Sequence, residues 1–531
     1  MSVIDDAEID RIIADRPSAS EKWSAGVLWR IATWFGLCAI AMWHVPNPVF
    51  DPRLMTVTFA MGALGIWRYA WWFNHAVRAE IYAGSAYPIM AGRAAETWED
   101  GWRPVHLHFM VTTYREHEQI TTRVMRSILR EIAEVGRPAT IWLGSSVRFD
   151  EDVVTAVLER ECAADPRLDV TLRILRQDVP GKRAAIATVL RAMSRGGVNP
   201  ADPVVFMDGD FALEAGAMRS CLPLFATQPD LQAVTTDEEV IVIGPRWMGA
   251  WLRMRFAQRR LAMQSHSLSG RVLTLTGRMS TFRARHLLDR EFIRLLEADH
   301  LDHWLWGRFR FLSGDDKSTW YYLLGRGCRM LYVPDALGYT IEVVDGSAVD
   351  RMVQNFRRWS GNMLRNGARA IALGPRRMPF FIWWCLIDQR LAIWTMLFSP
   401  ALAIMAAALD GLEVVAAYLV FLAVTRMALS LALYRHARHV ELSWPFILYA
   451  NQLLNAGVKV YSIWRLAKQR WANRGSQTAG SAGELWLTGA RNLMAAYGTA
   501  LSVALLMLGA ILYAGLVPMP RVETVRFALG L

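Results

Sequence analysis

Asp208 and Asp210 stand one residue apart at the end of the apolar run Val204-Val205-Phe206-Met207. Such a run reads as a buried strand, and side chains two apart on an extended chain share a face. The two carboxylates can therefore converge on one cation or on its water shell. Hard oxygen ligands suit Mg²⁺ or Mn²⁺, ions commonly shared with substrate phosphates. A polar turn after a strand, for which Asp-Gly is a frequent pair, is the plainer reading.

Five further stretches carry reactive residue types. Val111-Thr112-Thr113-Tyr114-Arg115-Glu116 ends another expected strand. There Tyr114 can stack on a nucleotide base and Glu116 can hydrogen-bond it, or the stretch is an ordinary strand-to-helix loop. Pro180-Gly181-Lys182-Arg183 opens a helix, where two cations and a helix N-terminus favour phosphate. In Thr276-Gly277-Arg278-Met279-Ser280 the glycine allows close approach of backbone to a ligand. Ser313-Gly314-Asp315-Asp316-Lys317 offers carboxylates to take a proton from a sugar hydroxyl, although the pair also suits the first turn of a helix. Arg357-Arg358-Trp359 offers a ring to stack on a sugar and a cation to brace a diphosphate, with a membrane-interface anchor as the alternative.

These stretches need a frame, and 531 residues are enough for several domains. Between about 100 and 345 the chain alternates short apolar runs with amphipathic ones. Strands are expected at 106–111, 140–143, 170–174 and 204–208, and helices at 119–135 and 183–193. Ile120, Val124, Ile128 and Ile132 form one helical stripe. This alternation implies an α/β domain with a mostly parallel sheet and ligands at the C-terminal ends of its strands. Trp247 to Ser267 mixes Trp and Met with Arg, which suits a helix lying on a membrane surface or an ordinary solvated one.

The flanks are of another kind. The chain is 53% hydrophobic with 23 Trp, and the excess is clustered. Spans of about 20 residues are expected at 25–45, 54–76, 391–409, 413–433 and 494–516. Asp388 and Arg390 make 378–390 an interfacial segment, because charges are costly in lipid. Asn451, Gln452, Asn455 and Lys459 make 443–464 interfacial or re-entrant. The expected division is a cytoplasmic tail (1–23), a transmembrane hairpin (24–76) and the catalytic domain (100–345). An Arg-Trp and interfacial region (346–390), a channel region (391–464), a basic loop and linker (465–493) and a last span (494–516) follow. A net charge of +11 fits anionic lipid or phosphorylated substrates rather than nucleic acid. The five cysteines have no metal spacing and fit a reduced, mainly cytoplasmic protein.

Taken in order, Asp208-Gly209-Asp210, the Gly277 segment, Gly314-Asp315-Asp316 and Arg358-Trp359, followed by spans, resemble the processive inverting family-2 glycosyltransferases that make cellulose, hyaluronan and chitin. The resemblance implies a GT-A fold, a metal at Asp208 and Asp210, and catalytic roles for Asp316, as base, and its neighbour Asp315. It also implies nucleotide-sugar contacts at Tyr114, Glu116, Lys182, Arg183 and Asp208. Acceptor or diphosphate contacts are implied at Gly277, Arg278, Arg358 and Trp359. The family pattern Gln-x-x-Arg-Trp is broken here, since Gln354 is one residue too far from Arg358-Trp359.

Longer runs are similar to the bacterial alginate polymerases, or mannuronan synthases: residues 65–69, 255–259, 271–280, 307–318, 332–336, 388–390 and 459–461. This closer resemblance implies a multi-pass protein of the bacterial inner membrane with a cytoplasmic catalytic domain. GDP-mannuronic acid would be the donor and β-1,4-linked polymannuronate the product, carried outward through the spans. A UDP-glucose-dependent β-glucan synthase and a non-catalytic scaffold of a secretion complex are the alternatives. Arg470 and Arg474 have the Arg-x-x-x-Arg spacing of cyclic di-GMP sites but no β-barrel sensor follows, so a separate cyclic di-GMP-responsive co-polymerase and an export complex are the expected partners.

Overall fold

The computed structural model describes residues 6–14, 19–45, 52–177, 181–344, 346–471, 477–479, 485–513, 515 and 517. Pro180 and, in the expected loop and linker, residues 472–476 (Arg474 among them) and 480–484 lie outside them. The chain divides into two compact units. One comprises Met1–Arg16, His75–Leu386 and Leu466–Ala482, and the other Pro17–Asn74, Ile387–Arg465 and Gly483–Leu531.

The first unit holds the α/β domain. Its strands are β1 (Leu107–Thr112), β2 (Ala139–Ser145), β3 (Val170–Arg176), β4 (Pro203–Asp208), β5 (Phe211–Leu213), β6 (Leu231–Ile243), β7 (Met279–Arg283), β8 (His300–His303), β9 (Gly307–Arg310) and β10 (Arg329–Val343). Eight of them form one sheet in the order β3-β2-β1-β4-β7-β6-β10-β5, and β8 and β9 form a separate hairpin. The β4 run expected from its apolar residues is buried along Pro203 to Met207, as an interior strand covered on both faces must be. The helix Glu118–Val135 buries the expected stripe of Ile120, Val124, Ile128 and Ile132. The helix Lys182–Arg195 buries Ile186, Val189, Leu190 and Met193 against the sheet side.

The sheet is more mixed than a simple strand–helix alternation suggests. β3, β2, β1 and β4 run parallel, but β7 lies antiparallel between β4 and β6. That reversal is what builds the site. Met279 at the start of β7 pairs with Met207 at the end of β4, so the 276–278 loop arrives at the C-terminal edge of β4. A parallel β7 would have delivered it to the opposite edge.

The basic helix Arg246–Ser267 is a correction to the membrane-surface reading. Trp251, Met254, Phe256, Arg260 and Leu261 are all buried within the domain. Its arginines meet the acids Asp237, Glu238 and Glu239 of β6. The mixed composition that resembles an interfacial helix serves here to satisfy three buried carboxylates.

Among the described residues, four helices are long and apolar enough to cross a membrane: Ala25–Trp43, Phe380–Ala408, Glu413–Arg435 and Trp486–Tyr513. The expected 54–76 segment lies within the helix Pro52–Ile81. The segment expected at the interface, 378–390, and the span expected from 391 share one continuous helix, Phe380–Asp410. Asp388 forms an ion pair with Arg68, both of the second unit, which lowers the cost of its charge. The polar 443–464 segment is the helix Trp444–Ile463.

Candidate active site

The site is assembled from chain ends that the sheet brings to one edge. Thr112, the last residue of β1, pairs with Asp208, the last of β4. The Asp208 N–H donates to Arg278 O at 3.1 Å, tying the Asp208-Gly209-Asp210 turn to the Gly277 segment. Lys182, first residue of its helix, reaches Asp208 Oδ1 at 2.6 Å and Asp315 Oδ2 at 3.2 Å. Lys182, Asp208, Gly277, Asp315, Asp316 and Thr319 line one cavity. A Cβ placed on Gly277 would lie 3.0 Å from Lys182 Nζ, so glycine is what lets this backbone sit against the cation.

Electrostatics separate the four carboxylates. Burial alone would lower the Lys182 pKa, but Asp208 and Asp315 outweigh it and hold the ammonium well above the ordinary lysine value. Burial likewise tends to raise Asp315, yet Lys182 and Arg183 keep it below the usual carboxylate range. Asp316 goes the other way, raised by burial and by the charge of Asp315. Asp210 is pushed up to about 6 by burial and by repulsion from Asp208. The Asp208–Asp210 pair is therefore a set of hard oxygen donors under mutual repulsion, which a divalent cation relieves; the residues fit the metal expected there.

The loop carrying Gly314-Asp315-Asp316 is clamped from beneath. Gly314 caps the helix Asp315–Gly325 at φ +85°, and a Cβ on it would lie 2.7 Å from Asn362 Cγ. Ser313 Oγ donates to Asn362 Oδ1 at 3.0 Å. Leu312 N donates to Gln469 Oε1 at 2.9 Å, and Gln469 Nε2 donates to Arg310 O at 2.8 Å. The strand Gln469–Trp471, which includes Arg470, thus belongs to a short hairpin with Gln477–Ala479 rather than to a featureless basic loop.

Arg183, expected among the nucleotide-sugar contacts, sits below the cavity. It is buried, and its guanidinium donates to Leu296 O at 2.9 Å, Ser318 Oγ at 2.7 Å and Ser313 O at 3.4 Å. It braces the carboxylate loop from below instead of lining the cavity. Tyr114 and Glu116 follow β1 at the same sheet edge, with Glu116 buried and Tyr114 half-buried. Asp150 shapes their loop by accepting from Thr113 Oγ1 at 3.0 Å and Arg115 N at 2.8 Å. Arg115 takes a left-handed φ of 54° there.

Arg278 is anchored by Glu238 at 3.2 Å. Arg358 and Trp359 lie on the helix Ala348–Ala372. Burial and the positive charge of Arg278 lower the Arg358 pKa, so two cations face the same region. The Trp359 ring stacks at 5.9 Å on Trp251. Gln354, the residue out of register, is exposed. Asn362, Gln469 and Asp150 were not legible as site residues. Asn362, three positions beyond Trp359, lies on a helix face that also buries Asn355, Ser360, Arg365 and Asn366, so its polarity alone gave no signal.

Residues 104–362 match the family model described as glycosyltransferase like family 2. Over 452 residues the chain is 36% identical to the glycosyltransferase alg8 of Pseudomonas syringae pv. tomato, covering 85% of this chain and 90% of that protein. The chain belongs to the alg8 glycosyltransferase family. The alg8 protein of Azotobacter vinelandii is also 36% identical over 444 residues, covering 82% of this chain and 88% of its own length. A mannosyltransferase from Pyrobaculum calidifontis, solved with GDP-Man and Mn²⁺, aligns over 73% of this chain and 99% of its own at 18% identity and a TM-score of 0.44. The resemblance to alginate polymerases thus extends over most of the chain. The protein is a membrane glycosyltransferase with a GT-A-like α/β domain flanked by apolar helices.

Proposed function

We propose that this alg8-family enzyme polymerises mannuronic acid from GDP-mannuronic acid into β-1,4-linked polymannuronate and passes it across the bacterial inner membrane, with its α/β domain in the cytoplasm. The observation that carries this reading is the meeting of Asp208, Lys182, Gly277, Asp315 and Asp316 around one cavity, in a chain of this family. Partners in keeping with it are the donor, the growing chain, the bilayer, a separate cyclic di-GMP-responsive co-polymerase and an export complex.

The donor's diphosphate would lie at the strand ends, where Lys182 meets its negative charge. Asp208 and Asp210 would hold Mg²⁺ or Mn²⁺, which supplies charge neutralisation for the leaving diphosphate. Tyr114 and Glu116 bind the base, and Arg278 and Arg358 supply positive charge to an acidic sugar and its diphosphate. Asp316, its pKa raised by burial and by the charge of Asp315, accepts the proton of the acceptor hydroxyl. As that oxygen bonds the anomeric carbon, the bond from this carbon to the phosphate oxygen breaks on the opposite face. The α-linked donor then gives a β-linkage, with GDP leaving. Asp315 stays ionised and fixes Lys182 in place. Trp359 holds the acceptor sugar.

Membranes carrying the protein, incubated with Mn²⁺ and GDP-mannuronic acid or UDP-glucose, test this. Polymer from GDP-mannuronic acid alone, lost in Asp316→Asn, is the expected result. Polymer from UDP-glucose overturns the donor and keeps the mechanism. Turnover of neither donor, with native membranes and cyclic di-GMP also supplied, overturns the polymerase reading.

A further inference from the structure

A second cluster of ligand-type side chains lies apart from the carboxylates. His75, His266 and Cys385 come from three helices, Pro52–Ile81, Arg246–Ser267 and Phe380–Asp410, yet all three belong to the first compact unit. One donor atom from each falls within 4.8 Å of the others. His75 Nδ1 contacts Ser265 Oγ at 2.9 Å, and its other nitrogen, Nε2, faces Cys385 Sγ at 3.9 Å. The rings of His75 and His266 meet edge-on, with centroids 5.4 Å apart.

We infer that His75, His266 and Cys385 form a binding site for a transition-metal ion of the zinc class, distinct from the hard-cation pair at Asp208 and Asp210. Two imidazoles and a thiolate are borderline-to-soft donors, which select such ions over Mg²⁺. Around tetrahedral zinc, with bonds of about 2.0 Å to nitrogen and about 2.3 Å to sulfur, those donors stand about 3.6 Å apart. The His75–Cys385 pair at 3.9 Å needs a contraction of a few tenths of an ångström, and the cluster as a whole, within 4.8 Å, needs about one ångström. The Ser265 contact is the outer-shell bond that orients a ligating imidazole and fixes which nitrogen is presented.

An independent observation is the state of His266. It is 6% exposed, and its Nδ1 has no hydrogen-bond partner among the described residues. A buried polar atom so left calls for an explanation, and a ligand is one. Arg78 does not block the site. Its guanidinium donates to Ser265 O at 3.2 Å and Ser269 Oγ at 2.6 Å and lies 3.7 Å over the Phe381 ring. The competing arrangement is a dry Cys–His contact without a metal.

The full-length protein in detergent, freed of metal and titrated with Co²⁺, decides between them. Expected is one Co²⁺ per chain with thiolate-to-cobalt charge-transfer absorption. Zn²⁺ should displace it and excess Mg²⁺ should not. The band should vanish in C385S and persist in C162S, while Ser265→Ala weakens binding by about 10–100-fold. No such band in the unmutated protein, or a band that survives in C385S, overturns the proposal. Should C385S not fold, zinc-edge X-ray absorption on the unmutated zinc-loaded protein replaces it. One sulfur at about 2.3 Å supports the site, and a shell of oxygen and nitrogen only overturns it.

Discussion

Two clusters in the α/β domain set carboxylates against cations and behave in opposite ways. In one, Asp237, Glu238 and Glu239 on β6 meet Arg259 and Arg260 on the helix Arg246–Ser267. Arg260 Nε lies 2.8 and 2.9 Å from the two Asp237 oxygens, and its Nη2 donates to Glu238 O at 2.8 Å. Arg259 and Arg278 both meet Glu238. Burial disfavours the Arg260 charge, but Asp237 and Glu239 more than restore it. In the other cluster Lys182 meets Asp208 and Asp315 at close range, with Asp210 and Asp316 beside them. The first is saturated and sits on regular elements. The second carries surplus negative charge on chain ends and loops, and two of its acids are raised as a result. Saturation makes a scaffold, whereas surplus charge makes a place for a cation and a proton.

The comparison breaks most sharply at Asp316. Asp316→Asn should cut polymer formation by about 10²–10⁴-fold, measured as GDP release, with the melting temperature nearly unchanged. Arg260→Met should do the reverse. Stranding buried carboxylates costs about 3–5 kcal/mol, so detergent-solubilised protein should lose its thermal transition or its yield. Equal effects of the two substitutions on stability would erase the distinction.

Smaller effects sharpen it. Gly277→Ala should lower turnover by about tenfold while the protein stays folded, because the added methyl meets Lys182 Nζ and not a packed core. Asp210, with a pKa near 6, holds a proton that a metal must displace. Its folded value lies above its unfolded one, so the folded state binds more protons between about pH 4 and 6 and its contribution to stability falls as pH rises through that window. Mn²⁺ affinity should accordingly weaken by about fourfold from pH 7.5 to 5.5, read by calorimetric titration. The half-exposed Arg191–Glu297 pair is the control. Glu297→Gln should change stability by no more than about 1 kcal/mol.

Much of this was open to reading from the chain. Val204 to Asp210 announces a buried strand ending in carboxylates, because β-branched and aromatic residues in a row leave few other choices. The stripe Ile120, Val124, Ile128, Ile132 announces its helix for the same kind of reason. The misreadings came where charge stood inside an apolar pattern. The arginines of 246–267 look solvated, and Asp388 looks unpaired, because a partner's presence cannot be seen from one side. Asp237 lies 23 residues from Arg260, and Asp388 lies 320 from Arg68.

The sequence by itself determined the residue types, the local periods and the order of motifs, since these depend on neighbours a few positions away. Only the tertiary structure decided which of them meet. The antiparallel placement of β7 carries Gly277 to Asp208, and the fold, not the motif, separates Lys182 in the cavity from Arg183 beneath it. Strand direction and side-chain partnership follow from how a whole sheet and its covering helices bury their apolar faces together. No local stretch of chain contains that sum.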